Sequence, residues 1–203
     1  EPQSETVWRQ ADRWRGPRIA FANKMDRVGA DFDMTLASMR RHFPDHVVAA
    51  AHRPIGAEAA FEGFEDLVAR RRIRFSDPED PRAFAGEEGL SAQGEADRRA
   101  LLEAVADVDD EAAHAVLEDR DLDAEALRAA LRRATVAGRF VPLLCGSALR
   151  NKGIPQVIDA VCDYLPSPLA VEAPRARAPR TRADASRPAD ERSAISEPRH
   201  GGR

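Results

Sequence analysis

The sequence predicts an α/β fold built on a parallel sheet, and one pattern that occurs twice carries the prediction. Arg18-Ile19-Ala20-Phe21-Ala22 and Phe140-Val141-Pro142-Leu143-Leu144-Cys145 are short apolar runs without polar alternation. Strands covered on both faces of a parallel sheet read this way. Each run leads into a polar loop and then an amphipathic helix, and sheets of this kind bind ligands beyond the C-terminal ends of their strands. A compositional observation points at the same two loops. Of 31 basic residues only Lys24 and Lys152 are lysine, and the only asparagines are Asn23 and Asn151, so both rare residues fall as the dipeptide Asn-Lys. In a chain that otherwise uses Arg, a Lys marks a place where a guanidinium does not serve.

The elements follow in order. Ser4 to Trp14 is predicted helical, with Ser4 as its cap, Glu5 in its first turn, and Val7, Trp8, Ala11 and Trp14 at helical spacing; Gly16-Pro17 ends it. Asn23 to Asp31 is the loop beyond the first strand. Asp31 or Asp33 caps a helix to about His42 with Phe32, Leu36 and Met39 on one face. His46 to Phe75 has strand character, notably His46 to Ala50 and Phe64 to Phe75, with turns at Gly56 and Gly63. Ser76 to Gly94 is rich in Pro, Gly and acids and predicts loop. Helices are predicted over Glu95 to Val108, near Glu111 to Leu117, and over Ala124 to Ala137, where Leu127, Leu131 and Ala134 form a stripe that Gly138 ends.

Pro142 predicts that the second strand lies near a sheet edge, because proline cannot donate to a ladder. The loop Gly146 to Gly153 precedes a helix marked by Ile154, Val157, Ile158, Val161 and Tyr164, which stops at Leu165-Pro166-Ser167-Pro168. Leu169 to Arg203 is mostly Ala, Arg and Pro and predicts a disordered tail. It has no aromatic residue to stack on a nucleic-acid base.

Bulk composition narrows the function classes. The apolar fraction of 43% is enough for a core, and the net charge of −4 gives no attraction for nucleic acid or membrane, so no DNA binding is expected. No apolar run approaches the roughly 20 residues of a membrane span, so a cytoplasmic protein is expected. The N-terminus has no signal-peptide pattern and no Met, and the chain is expected to begin inside a longer protein. Cys145 and Cys162 stand far apart and read as two reduced thiols. His42 and His46 have i, i+4 spacing, but Pro44 between them argues against a metal-binding helix.

Asn23-Lys24-Met25-Asp26 fits the N-K-x-D base-recognition pattern of GTP-binding proteins. Guanine offers two donors side by side, N1–H and the exocyclic amine, and one carboxylate, Asp26, can accept both. Adenine places a lone pair at N1 and is rejected, since a polar site that loses its partner pays heavily. Lys24 can lay its methylene stem along the base, and Asn23 has a donor and an acceptor to tie this loop to its neighbours. Gly146-Ser147-Ala148 supplies the second half: Ala148 N–H can donate to guanine O6, Ser147 can brace the loop, and Leu149 can cover the ring.

With those motifs in place, the sequence resembles elongation factor G, a family of translational GTPases, over about residues 1 to 168. Pro2 to Ala11 resembles the helix ahead of that family's base-binding strand, and Arg18-Ile19-Ala20-Phe21 through Asn23-Lys24-Met25-Asp26-Arg27 resembles its strand and fourth motif. Ile55-Gly56-Ala57-Glu58 and Asp66-Leu67-Val68 are similar to its inserted subdomain. Cys145-Gly146-Ser147-Ala148, Asn151-Lys152-Gly153 and Asp159-Ala160-Val161 to Pro168 resemble its fifth motif and closing helix.

The resemblance implies a partial P-loop-GTPase-type sheet over residues 1–49 and 126–168, an inserted α+β subdomain over 50–125, and the tail over 169–203. It implies GTP or GDP as ligand, with Asn23, Lys24, Asp26, Ser147, Ala148 and Leu149 at guanine, and the ribosome, including its stalk protein, as partner through the insertion. The family drives ribosomal translocation by GTP hydrolysis. The sequence also departs from the family. It holds no G-x-x-x-x-G-K-[ST] loop and no Asp-x-Pro-Gly segment, which serve phosphate, Mg²⁺ and the attacking water. Hydrolysis by this chain alone is therefore not expected, and no catalytic residue or Mg²⁺ ligand is assigned. A ribosomal-protection protein, a release-factor GTPase, or a module that docks on the stalk without nucleotide are the alternatives.

Overall fold

The computed structural model describes residues 2–14, 16–76 and 84–167 of the chain; the predicted tail lies outside them. Helix α1, Pro2–Arg13, begins ahead of Ser4, which is therefore inside the helix and not its cap. Proline suits the first turn because its missing N–H would be unpaired there anyway. Trp8 stacks on Phe43 with ring centroids 3.8 Å apart. Val7 and Trp14, predicted on the same stripe, are exposed.

A three-stranded parallel sheet holds β1, Ala20–Ala22, β2, Val47–Ala50, and β7, Phe140–Cys145, in the order β1-β7-β2. All six residues of β7 are buried. The expectation that Pro142 lies near a sheet edge is corrected, since β7 is the central strand. Its tolerance there has a local reason. Strand β1 starts opposite Leu143, so Pro142 faces Ala49 of β2 and no residue of β1. The prolyl nitrogen sits where the sheet is two strands wide. Strand β1 is shorter than predicted and only partly buried, because it forms the sheet's edge.

Between β1 and β2 runs α2, Phe32–His42, with Asp31 as its cap: the carboxylate accepts the Met34 N–H at 2.8 Å. Ala51 alone separates β2 from β3, His52–Ile55. A second, antiparallel sheet then forms from β3, β4 (Gly63–Asp66), β5 (Arg71–Phe75) and β6 (Phe84–Glu88), in sequence order. Gly56 turns the chain at φ 75°, as expected. Gly63 does not; it lies within β4, where a side chain would collide with the backbone of Ile73 and Arg74 on β5.

The stretch expected to be loop, Ser76 to Gly94, contains β6 and the start of the next helix. Every residue of β6 is exposed, so it carries no apolar alternation to read. Its register on β5 places Glu88 opposite Arg71 and Glu87 opposite Arg72, with ion pairs at 3.3 and 3.2 Å.

Three helices follow: α3 (Ala92–Ala106), α4 (Asp110–Leu117) and α5 (Ala124–Val136). Ser91, Asp109 and Asp123 cap them by accepting the N–H three residues on. The cap at Ser91 explains why α3 starts earlier than periodicity predicts. On α3, Arg98 is 2% exposed and donates to the carbonyls of Leu67 at 2.5 Å, Val68 at 2.9 Å and Leu122. The last helix, α6, is Ile154–Tyr164. Its predicted apolar stripe holds only in part: Ala160 and Tyr164 are buried, while Ile158 and Val161 face outward. One arginine of α5, Arg132, closes α6 by donating to Cys162, Asp163 and Leu165 carbonyls at 2.8 to 3.0 Å.

Phe61, Phe64, Leu67, Leu101, Leu127, Leu131, Phe140 and Leu143 belong to one buried cluster that both sheets share. Cys145 is buried within it and Cys162 is exposed, both as free thiols. Among the described residues no helix is long and apolar enough to cross a membrane.

Candidate functional site

Strands β1 and β7 end level, with Ala22 opposite Cys145, so the two Asn-Lys loops leave the sheet side by side. The backbone laces them together. Gly146 N–H donates to Ala22 O at 3.1 Å, and Met25 N–H donates to Gly146 O at 3.0 Å. Glycine is required at 146, because a side chain would collide with the Lys152 carbonyl and the Phe21 ring. Lys24 takes a left-handed conformation, φ 64°, which turns the chain and leaves both Asn23 and Lys24 exposed.

Side chains reach across from loop to loop. The Asn23 amide oxygen accepts the N–H of Lys24 at 2.8 Å and that of Ala148 at 2.9 Å. The Ser147 hydroxyl is close enough to Asp26 to be the first cause holding that carboxyl below its ordinary range. Arg150 and Lys152 add to this, while partial burial opposes it. Arg150 stands 3.8 Å from the carboxylate and is two-thirds exposed, so its hold is loose. Ser147, itself 1% exposed, also closes the second loop through a reciprocal backbone pair with Lys152, both bonds at 3.0 Å. Leu149 follows on an exposed 3-10 turn, Ala148–Arg150.

The six residues singled out from sequence are thus brought to one place: Asn23 meets Ala148, Asp26 meets Ser147, and Lys24 and Leu149 stand exposed at the rim. What results is an ionised carboxylate and a backbone N–H on neighbouring strand ends, in a chain segment open to solvent. That pair suits a ring with two adjacent donors and a nearby carbonyl.

Two further residues hold the site and were not assigned from sequence. Glu58, in the turn after β3, donates its N–H to Met25 O at 3.1 Å and accepts the Gly29 N–H on its carboxylate at 2.7 Å. Lys152 donates its ammonium to Phe61 O at 2.6 Å, with the Phe61 and Phe75 rings 5.4 and 5.6 Å away. The rarity of lysine flagged Lys152, and its compact ammonium between two rings and a carbonyl is the physical reason an arginine does not stand there. Glu58 falls in the Ile55-Gly56-Ala57-Glu58 segment that carries the resemblance, but its hold on the first loop shows only in the fold. Among the described residues no group of three or more His, Cys, Asp or Glu could hold a metal ion.

Comparison with known proteins adds two findings. A solved crystal structure of a protein from Thermus thermophilus is similar to this chain, with a TM-score of 0.67 and 23% identity. The likeness covers 81% of this chain and 24% of that one, and at this identity it establishes the fold. The chain therefore spans about a quarter of that structure's length. The family described as "Elongation factor Tu GTP binding domain" matches residues 1–167, most of the chain. The chain belongs to that family, the GTP-binding domain of the translational GTPases.

Proposed function

We propose that this chain is the guanine-recognition part of an elongation factor of the elongation factor G type, which drives ribosomal translocation using GTP hydrolysis. The observation that carries the base assignment is the bond between adjacent strand ends, from Ala148 N–H to Asn23, which brings the Asp26 and Ala148 loops together. With guanine in place, Asp26 accepts N1–H and the exocyclic amine. Ala148 N–H, bonded to Asn23 in this structure, is handed to O6. Lys24 and Leu149 cover the two faces of the ring. The Ser147 hydroxyl keeps the carboxylate aimed, so no reorganisation is needed when the base arrives.

Gripping the phosphates and supplying Mg²⁺ fall to the intact factor, since no phosphate-binding sequence occurs in these residues. The test is a titration of the ¹⁵N-labelled chain with millimolar guanosine and adenosine. Guanosine is expected to shift the amides of Lys24, Asp26 and Ala148 while adenosine does not, and GDP with Mg²⁺ is expected to bind no more tightly than guanosine. Equal shifts by adenosine would sink the base assignment, and a large gain from Mg²⁺ and the phosphates would sink the division of labour.

The same reading assigns the segment 50–125, which carries the antiparallel sheet and α3, to contact with the ribosome through its stalk protein. A pull-down with the stalk protein's C-terminal domain is expected to retain the chain with or without nucleotide. Failure to retain it removes this half of the proposal and leaves the guanine site standing.

A further inference from the structure

The turn that follows β3 touches both loops of the guanine site. It is wound tightly: Gly56 is left-handed, and a side chain there would collide with the Ala60 carbonyl. Glu58 is also left-handed, φ 53°, a conformation that a non-glycine residue holds only where its surroundings fix it. They do fix it. Its N–H is spent on Met25 O and its carboxylate on Gly29 N–H, so Glu58 clasps the first loop on either side of Asp26. Three residues on, Phe61 O receives the Lys152 ammonium, and Lys152 is the backbone partner of Ser147 in the second loop. Phe61 N–H in turn donates to Glu58 O at 3.0 Å, which joins the two clasps into one path.

Guanine must meet Asp26 on one edge and Ala148 N–H on the adjacent edge at the same time. A displacement of either loop by an ångström forfeits one of the two, since such contacts depend on geometry held from outside. We infer that Glu58 and Lys152 are positioning residues of the guanine site, and that the turn over residues 56–61 sets the spacing between the Asp26 and Ala148 loops. The antiparallel sheet, through β3 and β4 on either side of this turn, is thereby wired to the base site. This inference rests on the guanine assignment above. It gives the inserted segment a role in nucleotide affinity, beyond any contact it makes with a partner.

The test uses the full chain as wild type, Glu58→Ala, Glu58→Gln and Lys152→Met, each titrated with guanosine and adenosine by amide shifts and each melted in parallel. Glu58→Ala and Lys152→Met are each expected to weaken guanosine about tenfold, the usual cost of losing a group that orients a binding residue. Adenosine shifts stay unchanged. Glu58→Gln is expected to restore guanosine binding, because its amide oxygen still accepts the Gly29 N–H. Wild-type affinity in Glu58→Ala and Lys152→Met would overturn the inference, as would equal losses in Glu58→Ala and Glu58→Gln. A loss that follows only the fall in melting temperature would also overturn it, by reducing both residues to structural ones. If the wild type itself does not distinguish guanosine from adenosine, the guanine assignment falls and takes the inference with it. Indifferent variants of a discriminating wild type overturn the inference alone.

Discussion

Replacing Asp26 with Asn is expected to turn the site from guanosine to xanthosine. The carboxylate accepts two donors from guanine, whereas an asparagine has one acceptor and presents its own amine where the second acceptor stood. Guanine's exocyclic amine then faces a donor. Losing a charge-assisted bond and leaving that amine unpaired costs about 3 kcal/mol, which corresponds to roughly a hundredfold in affinity. Xanthine carries a carbonyl in place of that amine, so the asparagine amine finds an acceptor and N1–H keeps one. The check is an amide-shift titration of Asp26→Asn with both nucleosides. A variant that still prefers guanosine means that Asp26 does not read the base. The fold itself is expected to survive, because Asp26 is partly exposed and the asparagine oxygen can still accept from Ser147.

The largest loss of stability is expected at Arg98. Its guanidinium is buried and holds three main-chain carbonyls, from Leu67 and Val68 after β4 and from Leu122 before α5, with Asp121 at 3.2 Å beside it. Leu67, Val68 and Leu122 are themselves buried, so water cannot take the place of the lost donor. Arg98→Met keeps most of the volume and removes every one of these bonds. Stranding buried partners in this way costs about 3–5 kcal/mol, a large share of the stability of a domain this size. Urea unfolding followed by far-UV circular dichroism is the measurement. Arg70→Ala is the control. Arg70 pairs with Glu95 and Asp121 at 2.6 and 2.7 Å but is nearly half exposed, and it is expected to cost less than about 1 kcal/mol. If Arg98→Met costs no more than that control, the buried network is not what holds α3 to the sheet.

The elements whose signals are local were readable from sequence, and those that depend on a distant partner were not. Phe140–Cys145 and Ile154–Tyr164 coincide with their predicted bounds because an apolar run and a helical period each sit within one element. An aspartate cap at Asp31 or Asp33 was legible for the same reason, and the structure uses Asp31. Strand β6 was not, since its stability lies in the ladder to β5 and in cross-strand charges, and an exposed edge needs no apolar alternation. Gly63 reads as a turn until the carbonyl of Ile73 is seen pressing on it from the next strand. Ile158 and Val161 share the period of the buried residues of α6 but face outward, which spacing alone cannot separate. The site divides the same way. Asn23, Lys24, Asp26 and Ser147-Ala148 announce themselves by residue type after a strand. Glu58 contributes a geometry that exists only once two segments about thirty residues apart are folded together.

The junction at Ala51 bears on how force would travel. This one residue is all that lies between a strand of the parallel sheet and a strand of the antiparallel one. It is 1% exposed, its N–H is bound to Leu143 O at 2.9 Å, and its own carbonyl accepts from Leu67 N–H at 3.0 Å. A swivel requires slack, and a single buried residue bonded to β7 on one side and to the residue just beyond β4 on the other has none. A push on the antiparallel sheet therefore arrives at the C-terminal end of β2, the end of the parallel sheet at which β7 leads into the Ser147 loop.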